Sequence, residues 1–297
     1  MNRLPPWLGV QYPFAANTVA STAGNLNYVD EGQGPAVVMF HGNPTWSFLY
    51  RNLILALRPD CRCLALDNLG CGLSEKPQQA DYSLAAHVER AADWVESTGV
   101  EDFHLVVHDW GGPIGLGAAA RMQDRVRSIS ILNTAAFSFK TIPFRIAVCR
   151  WPFLGALLVR GANGFVRAAK TMTTVEPLPE GVQEGFAWPY GNWHDRVAIH
   201  RFVRDIPMSP RHRSWKTLKE IEASLPNWRK IPVQILWGMQ DWCFHVQFLK
   251  VWREILPEAE VVEYARAGHY VLEDVGEEAL QSITSLVASR ASGASRP

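Results

Sequence analysis

The feature that most constrains the fold is an alternation of short apolar runs with longer segments of mixed polarity. AVVMF (36–40), CRCLALD (61–67), FHLVVHD (103–109) and RSISILN (127–133) each have the length of one buried strand. Between them, 46–57, 84–98 and 112–121 read as helices. The pattern resumes with VQILWG (233–238) and AEVVEY (259–264), with helices expected at 246–255 and 274–289. Strands alternating with helices predict an α/β fold: a mostly parallel sheet with helices on both faces. An antiparallel pair at 17–21 and 25–30 opens the sheet and brings the expected strand count to eight.

The alternation breaks between about 136 and 229, where no strand signal occurs and where Pro177, Pro179, Pro189, Pro207 and Pro210 fall. A helical insertion between two sheet strands accounts for this. Such insertions sit over the C-terminal ends of the strands, where sites form. The expected division is therefore a core over 1–135, a helical cap over 136–229 and the second part of the core over 230–297. At 297 residues the chain is long enough to bury a core without staples.

Four short stretches carry chemistry. In LVVHDWGGPIG (105–115) a carboxylate, Asp109, stands where a buried strand stops and a helix starts, with Gly111 two residues on. That is the layout of a nucleophile elbow, in which small neighbours let a sharp turn lift a nucleophile above the sheet edge. Capping of the following helix is the plainer role for such an aspartate, and this stretch alone leaves both open. FHGNPTW (40–46) follows the first parallel strand, where a loop can supply a backbone N–H to an oxyanion. Asp241 follows the strand in VQILWGMQDWCF, and His269 lies in ARAGHYV between the last strand and the last helix. The order Asp109, Asp241, His269 is nucleophile, acid, base, as in α/β-hydrolases. Each follows a strand, so all three can face one rim.

With these residues in place the chain resembles a haloalkane dehalogenase of the α/β-hydrolase superfamily, over about residues 17 to 285. HGNPTWSFLYR, DNLGCGLSEKP, VVHDWGG and GHYVLED match that family's pattern. HDWGG alone is shared with epoxide hydrolases, and HGNP makes the match more specific. Asn43 together with an acid at Asp241 most resembles the third subfamily. Members whose acid follows the preceding strand carry a glutamate there, and this chain has Asn133 and Thr134. The resemblance implies that Asp109 attacks a halogen-bearing carbon and forms an alkyl ester. His269, oriented by Asp241, then activates water to hydrolyse it. It further implies that the backbone N–H groups of Asn43 and Trp110 hold the oxyanion. The Asn43 amide and the Trp110 indole would donate to the departing halide.

The same resemblance extends to β-lactone decarboxylases that form long-chain alkenes with the same residues, and the motifs do not separate the two. An epoxide hydrolase would need two tyrosines in its lid, whereas only Tyr190 lies in the insertion. A non-catalytic binding protein of the same fold is a further alternative, though no member of the residue set is missing. An aspartate attacking an ordinary ester would give an anhydride, which argues against a plain esterase.

Charge and composition narrow the partners. Lysine plus arginine equals aspartate plus glutamate at 29 each, which gives no footprint for nucleic acid. Zero net charge does little to keep copies apart, so a homo-oligomer is expected. Five scattered cysteines with no paired spacing fit a reducing, cytoplasmic setting. No histidine cluster has metal spacing, and neither metal nor cofactor is expected. The longest apolar run of the insertion, WPFLGALLV, is too short to span a bilayer. From Lys140 to Lys170 six basic residues and no acidic ones are interleaved with Phe144, Trp151, Phe153, Leu154 and Leu157. That stretch is expected to be a lid over an apolar pocket with its arginines in water. Docking on a membrane or a partner is the alternative. The expected partners are a small apolar substrate, water and a halide ion.

Overall fold

A computed structural model describes residues 4–291. Its centre is one eight-stranded sheet built from β1 (Asn17–Ser21), β2 (Gly24–Glu31), β3 (Ala36–Phe40), β4 (Arg62–Leu66), β5 (Phe103–His108), β6 (Val126–Leu132), β7 (Val233–Gly238) and β8 (Glu260–Tyr264). The strand order is β1-β2-β4-β3-β5-β6-β7-β8, antiparallel for the pairs β1–β2 and β2–β4 and parallel from β4 onward. β3, β5 and β7 are buried at every position, which is why apolar residues fill both faces of each rather than alternating with polar ones. The edge strands β1 and β8 are only partly covered.

Successive residues of a strand feed opposite cores. Val38, Phe40, Leu105 and Val107 join a cluster with α3 (Leu84–Ser97), α4 (Gly111–Ala119) and α11 (Val246–Ile255). Val37, Met39 and Val106 join a second one with α2 (Arg51–Leu57) and α13 (Gly276–Ala291). On the second side a buried Arg51–Glu273 pair at 2.5 Å ties α2 to α12 (Val271–Asp274). A short helix, α1 (Pro6–Gln11), precedes the sheet.

Helix starts differ most from expectation. The segment expected as one helix over 46–57 opens with a tight 3-10 turn, Ser47–Tyr50, before α2. The helix expected over 274–289 begins only at Gly276, whose φ of +27° separates it from the one-turn α12.

Between β6 and β7 lie six α-helices, α5 (Phe144–Cys149), α6 (Pro152–Ala156), α7 (Gly164–Met172), α8 (Glu180–Ala187), α9 (Val197–Arg204) and α10 (Trp215–Ser224), with three further helical turns among them. Proline starts several of them. Pro143 and Pro179 immediately precede α5 and α8, and Pro152 opens α6, positions where no N–H is needed. Buried polar bonds fasten this segment to the sheet. The Tyr190 hydroxyl donates to the Thr45 carbonyl at 3.0 Å and accepts from the Gly72 N–H. Asp205 accepts from the Leu84 N–H at 2.8 Å and from the Ser214 hydroxyl at 2.6 Å.

Candidate active site

β5 ends at His108 and the chain turns sharply into α4. Asp109 sits in that turn at φ +50°, a left-handed conformation in which a non-glycine residue is strained. The turn is feasible because its neighbours lack side chains. A Cβ on Gly111 would lie 1.8 Å from the Phe40 carbonyl oxygen, and one on Gly42 would lie 2.2 Å from the Asp109 carboxylate. The Asp109 carbonyl accepts from the Gly112 N–H at 2.9 Å and from the Thr134 hydroxyl. Both bonds hold the elbow.

The loop after β3 brings the Asn43 N–H to Asp109 Oδ1 at 2.6 Å, and the Trp110 N–H also donates to the carboxylate. His41 braces this loop, with Nδ1 donating to the Gly42 carbonyl and Nε2 accepting from the Asn68 N–H. The second carboxylate oxygen, Oδ2, faces His269 Nε2 across 3.8 Å. His269 Nδ1 donates to Asp241 Oδ2 at 2.8 Å, which leaves the Nε2 lone pair of the neutral ring toward Asp109. The structure therefore brings together the three residues picked from the sequence, Asp241 to His269 to Asp109.

Asp241 is fully satisfied. Its Oδ1 accepts from the N–H groups of Cys243 at 2.7 Å and Phe244 at 3.0 Å. Its Oδ2 also receives the Asn133 amide at 2.9 Å. Burial alone would raise this carboxyl, but His269 and the backbone donors overcome it, and the net direction is down. Asp109 goes the other way. Burial raises it above the usual carboxylate range, only partly offset by His269 and the two backbone N–H groups. For His269, burial favours the neutral ring, yet the Asp241 and Asp109 charges outweigh it and hold the imidazole above its ordinary value.

Four supporting residues were not legible as such. Asn133, at φ +28°, also clamps the end of β7 by donating to the Gly238 carbonyl at 3.1 Å and accepting from its N–H at 2.8 Å. Asparagine tolerates that backbone conformation, and an asparagine just past an apolar strand is the one signal that could have marked it. His108 packs its ring 4.5 Å from that of His269 and donates from Nε2 to the His269 carbonyl at 2.9 Å. Phe244 lies nearly parallel to the His269 ring at 5.6 Å. Thr134 is the elbow's brace described above.

Over these groups opens a cavity of about 360 Å³, within the usual range for small-molecule sites. Asn43, Asp109, Trp110 and His269 supply its polar end, and the rest is mainly apolar, with Phe137, Ile146, Phe165, Met172, Leu218 and Phe248 among the walls. The Trp110 ring lines it beside Phe202. The Asn43 amide gives one N–H to the Ile199 carbonyl at 3.3 Å and keeps its second. Trp242 lines the cavity and straps the acid loop to α7 through the Met172 carbonyl, and Trp46 is wholly buried on the Gly185 carbonyl. Tyr190 spends its hydroxyl on loop backbone, so it offers no proton donor here.

Residues 35–274 match the family described as alpha/beta hydrolase fold. The chain is 42% identical over 278 residues to a cis-3-alkyl-4-alkyloxetan-2-one decarboxylase of Shewanella oneidensis, covering 91% of this chain and 87% of that one. It is 33% identical over 270 residues to haloalkane dehalogenase 2 of Mycobacterium tuberculosis, covering 89% and 91%. Among solved structures, an ancestral haloalkane dehalogenase superposes with a TM-score of 0.84 at 25% identity, covering 92% of this chain and 98% of that one. This chain belongs to the α/β-hydrolase family, and within it is similar both to haloalkane dehalogenases and to oxetanone decarboxylases.

Proposed function

We propose that the chain hydrolyses haloalkanes through a covalent alkyl ester on Asp109. Oδ2 attacks the carbon that bears the halogen, and the halide leaves toward the Trp110 indole and the free N–H of the Asn43 amide. Water between His269 Nε2 and the ester then gives its proton to His269 and adds to Cγ. The oxyanion forms on Oδ1, between the Asn43 and Trp110 N–H groups, and collapse releases the alcohol. Losing one such donor costs roughly 2–4 kcal/mol of barrier in comparable sites. The observation that carries the reading is the unequal setting of the carboxylate, with Oδ1 held at 2.6 Å and Oδ2 turned to His269 across a gap of 3.8 Å. Residues 136–229 serve as the cap that keeps this chemistry dry.

A second reading is favoured by sequence identity, since the oxetanone decarboxylases of Shewanella oneidensis and Xanthomonas campestris reach 42% and 38% against 33% for the dehalogenase. Here Oδ2 attacks the ring carbon bonded to the lactone oxygen, and that C–O bond breaks to leave a carboxylate. The carboxylate then departs as carbon dioxide, its C–C electron pair forms the alkene, and Asp109 is expelled intact. No water enters. Both readings draw on the same residue set; halide hydrolysis leads because it gives the pair His269–Asp241 a defined step, the activation of water.

Halide release from a panel of bromo- and iodoalkanes, with Asp109→Asn alongside, tests the first reading. Turnover by the wild type and none by the variant is expected. If no halide appears from any member while a cis-dialkyl β-lactone yields alkene, the second reading replaces it. A cytoplasmic location, supported by five free cysteines, and self-association, supported by the zero net charge, belong to the same proposal.

A further inference from the structure

The outer face of α5 and α6 is unlike the rest of the surface. Nine large apolar side chains are exposed among the described residues, and five of them fall within fourteen positions: Phe144 (82%), Trp151 (59%), Phe153 (92%), Leu154 (40%) and Leu157 (62%). A sixth, Trp193, continues the patch, since Leu157 and Trp193 both pack around Gly161. Lys140, Arg145 and Arg167 are exposed along the same stretch, and no acidic residue occurs from 140 to 170. An apolar, tryptophan-bearing face among unopposed cations is the composition of an element that lies in a membrane interface.

We infer that this face docks on an anionic lipid surface. Charge selects that occupant over a second copy of the chain. A two-fold contact through the patch would set its cations against themselves, whereas anionic headgroups complement them. The same helices connect the surface to the site, because Ile146 and Cys149 of α5 and Phe165, Ala168 and Met172 of α7 line the cavity from inside. A docked chain holds its cavity one helix away from the bilayer, where an apolar substrate concentrates. That consequence for supply rests on the function proposed above; the docking does not.

The test is co-sedimentation of the full chain with vesicles of phosphatidylcholine alone and of phosphatidylcholine with 30% phosphatidylglycerol. Each cation held near an anionic surface strengthens binding roughly fivefold. The expected result is binding at least tenfold tighter to the anionic vesicles, weakened by salt. Phe144→Ser with Phe153→Ser should lower it by an order of magnitude or more, and Lys140→Glu with Arg167→Glu should lower it similarly. All four residues are exposed and none lines the cavity, so turnover of a short, water-soluble bromoalkane should be unchanged in these variants. Binding to neither vesicle, or equal binding by wild type and variants, overturns the inference. So does a wild-type dimer that the Phe144 and Phe153 variant converts to monomer without change in vesicle binding. If bromoalkane turnover is absent throughout while vesicle binding follows the expected pattern, the proposed function fails and the docking surface stands.

Discussion

Replacing Asn133 by alanine removes three buried hydrogen bonds at once. Two are neutral, to the Gly238 carbonyl at 3.1 Å and from the Gly238 N–H at 2.8 Å, and one is charge-assisted, to Asp241 Oδ2 at 2.9 Å. At about 1 kcal/mol for each neutral bond and about 2 kcal/mol for the charged one, the loss comes to about 4 kcal/mol. Alanine at φ +28° adds about 1 kcal/mol, because asparagine tolerates the left-handed region better. A total near 5 kcal/mol is a large part of the about 5–15 kcal/mol that holds a typical domain folded. Urea unfolding should therefore show a much lower midpoint at unchanged slope. Asn133→Gly separates the contributions, since it loses the same bonds without the backbone strain and should recover about 1 kcal/mol. A loss under about 1 kcal/mol for alanine would refute the reasoning, as it would mean that these bonds do not fix the acid loop.

Three further outcomes follow from the triad. In His269→Phe, a bromoalkane should release one halide per site in a burst and then stall, with ester hydrolysis slowed by about 10²–10⁴-fold and an alkylated Asp109 visible by mass spectrometry; a variant that turns over without a trapped adduct would remove Asp109 as the nucleophile. The pH dependence has a defined sign, because the folded-state His269 sits above its unfolded value. Its contribution to stability is fully present below about 6.5 and is lost as pH rises through the folded value. The kcat for halide hydrolysis should rise over that same interval as the ring becomes neutral. Asp241→Asn removes the main upward influence and should move the acid limb of the kcat profile to lower pH, while lowering kcat itself; an unmoved limb would contradict the assignment of that limb to His269.

The strands were legible because their flanking turns are written locally. AVVMF and VQILWG coincide with β3 and β7, and 246–255 coincides with α11. Asp109, Asp241 and His269 were legible for a topological reason: each follows a parallel strand, so the sheet itself brings their loops to one edge. What escaped were roles set by distant partners. Asn133 acts on a carboxylate 108 positions away, and His108 acts on a carbonyl 161 positions away. No local pattern encodes which donor will meet which acceptor across such a span. The late start of α13 escaped for the opposite reason, since the break turns on the single backbone angle of Gly276.

The two oxygens of Asp109 have different fates. Oδ1 is anchored to the Asn43 N–H and Oδ2 is the one that meets His269. When water adds at Cγ and the alcohol leaves, it leaves with Oδ2, so the hydroxyl oxygen of the product was part of the protein one turnover earlier. The incoming water oxygen becomes the next Oδ2, while Oδ1 never enters the exchange. An enzyme working in heavy-oxygen water would thus acquire one heavy atom in this side chain and no more, however long it runs. Decarboxylation of a lactone returns the side chain with both of its original oxygens, so the isotopic history of one carboxylate distinguishes the two chemistries that this fold can host.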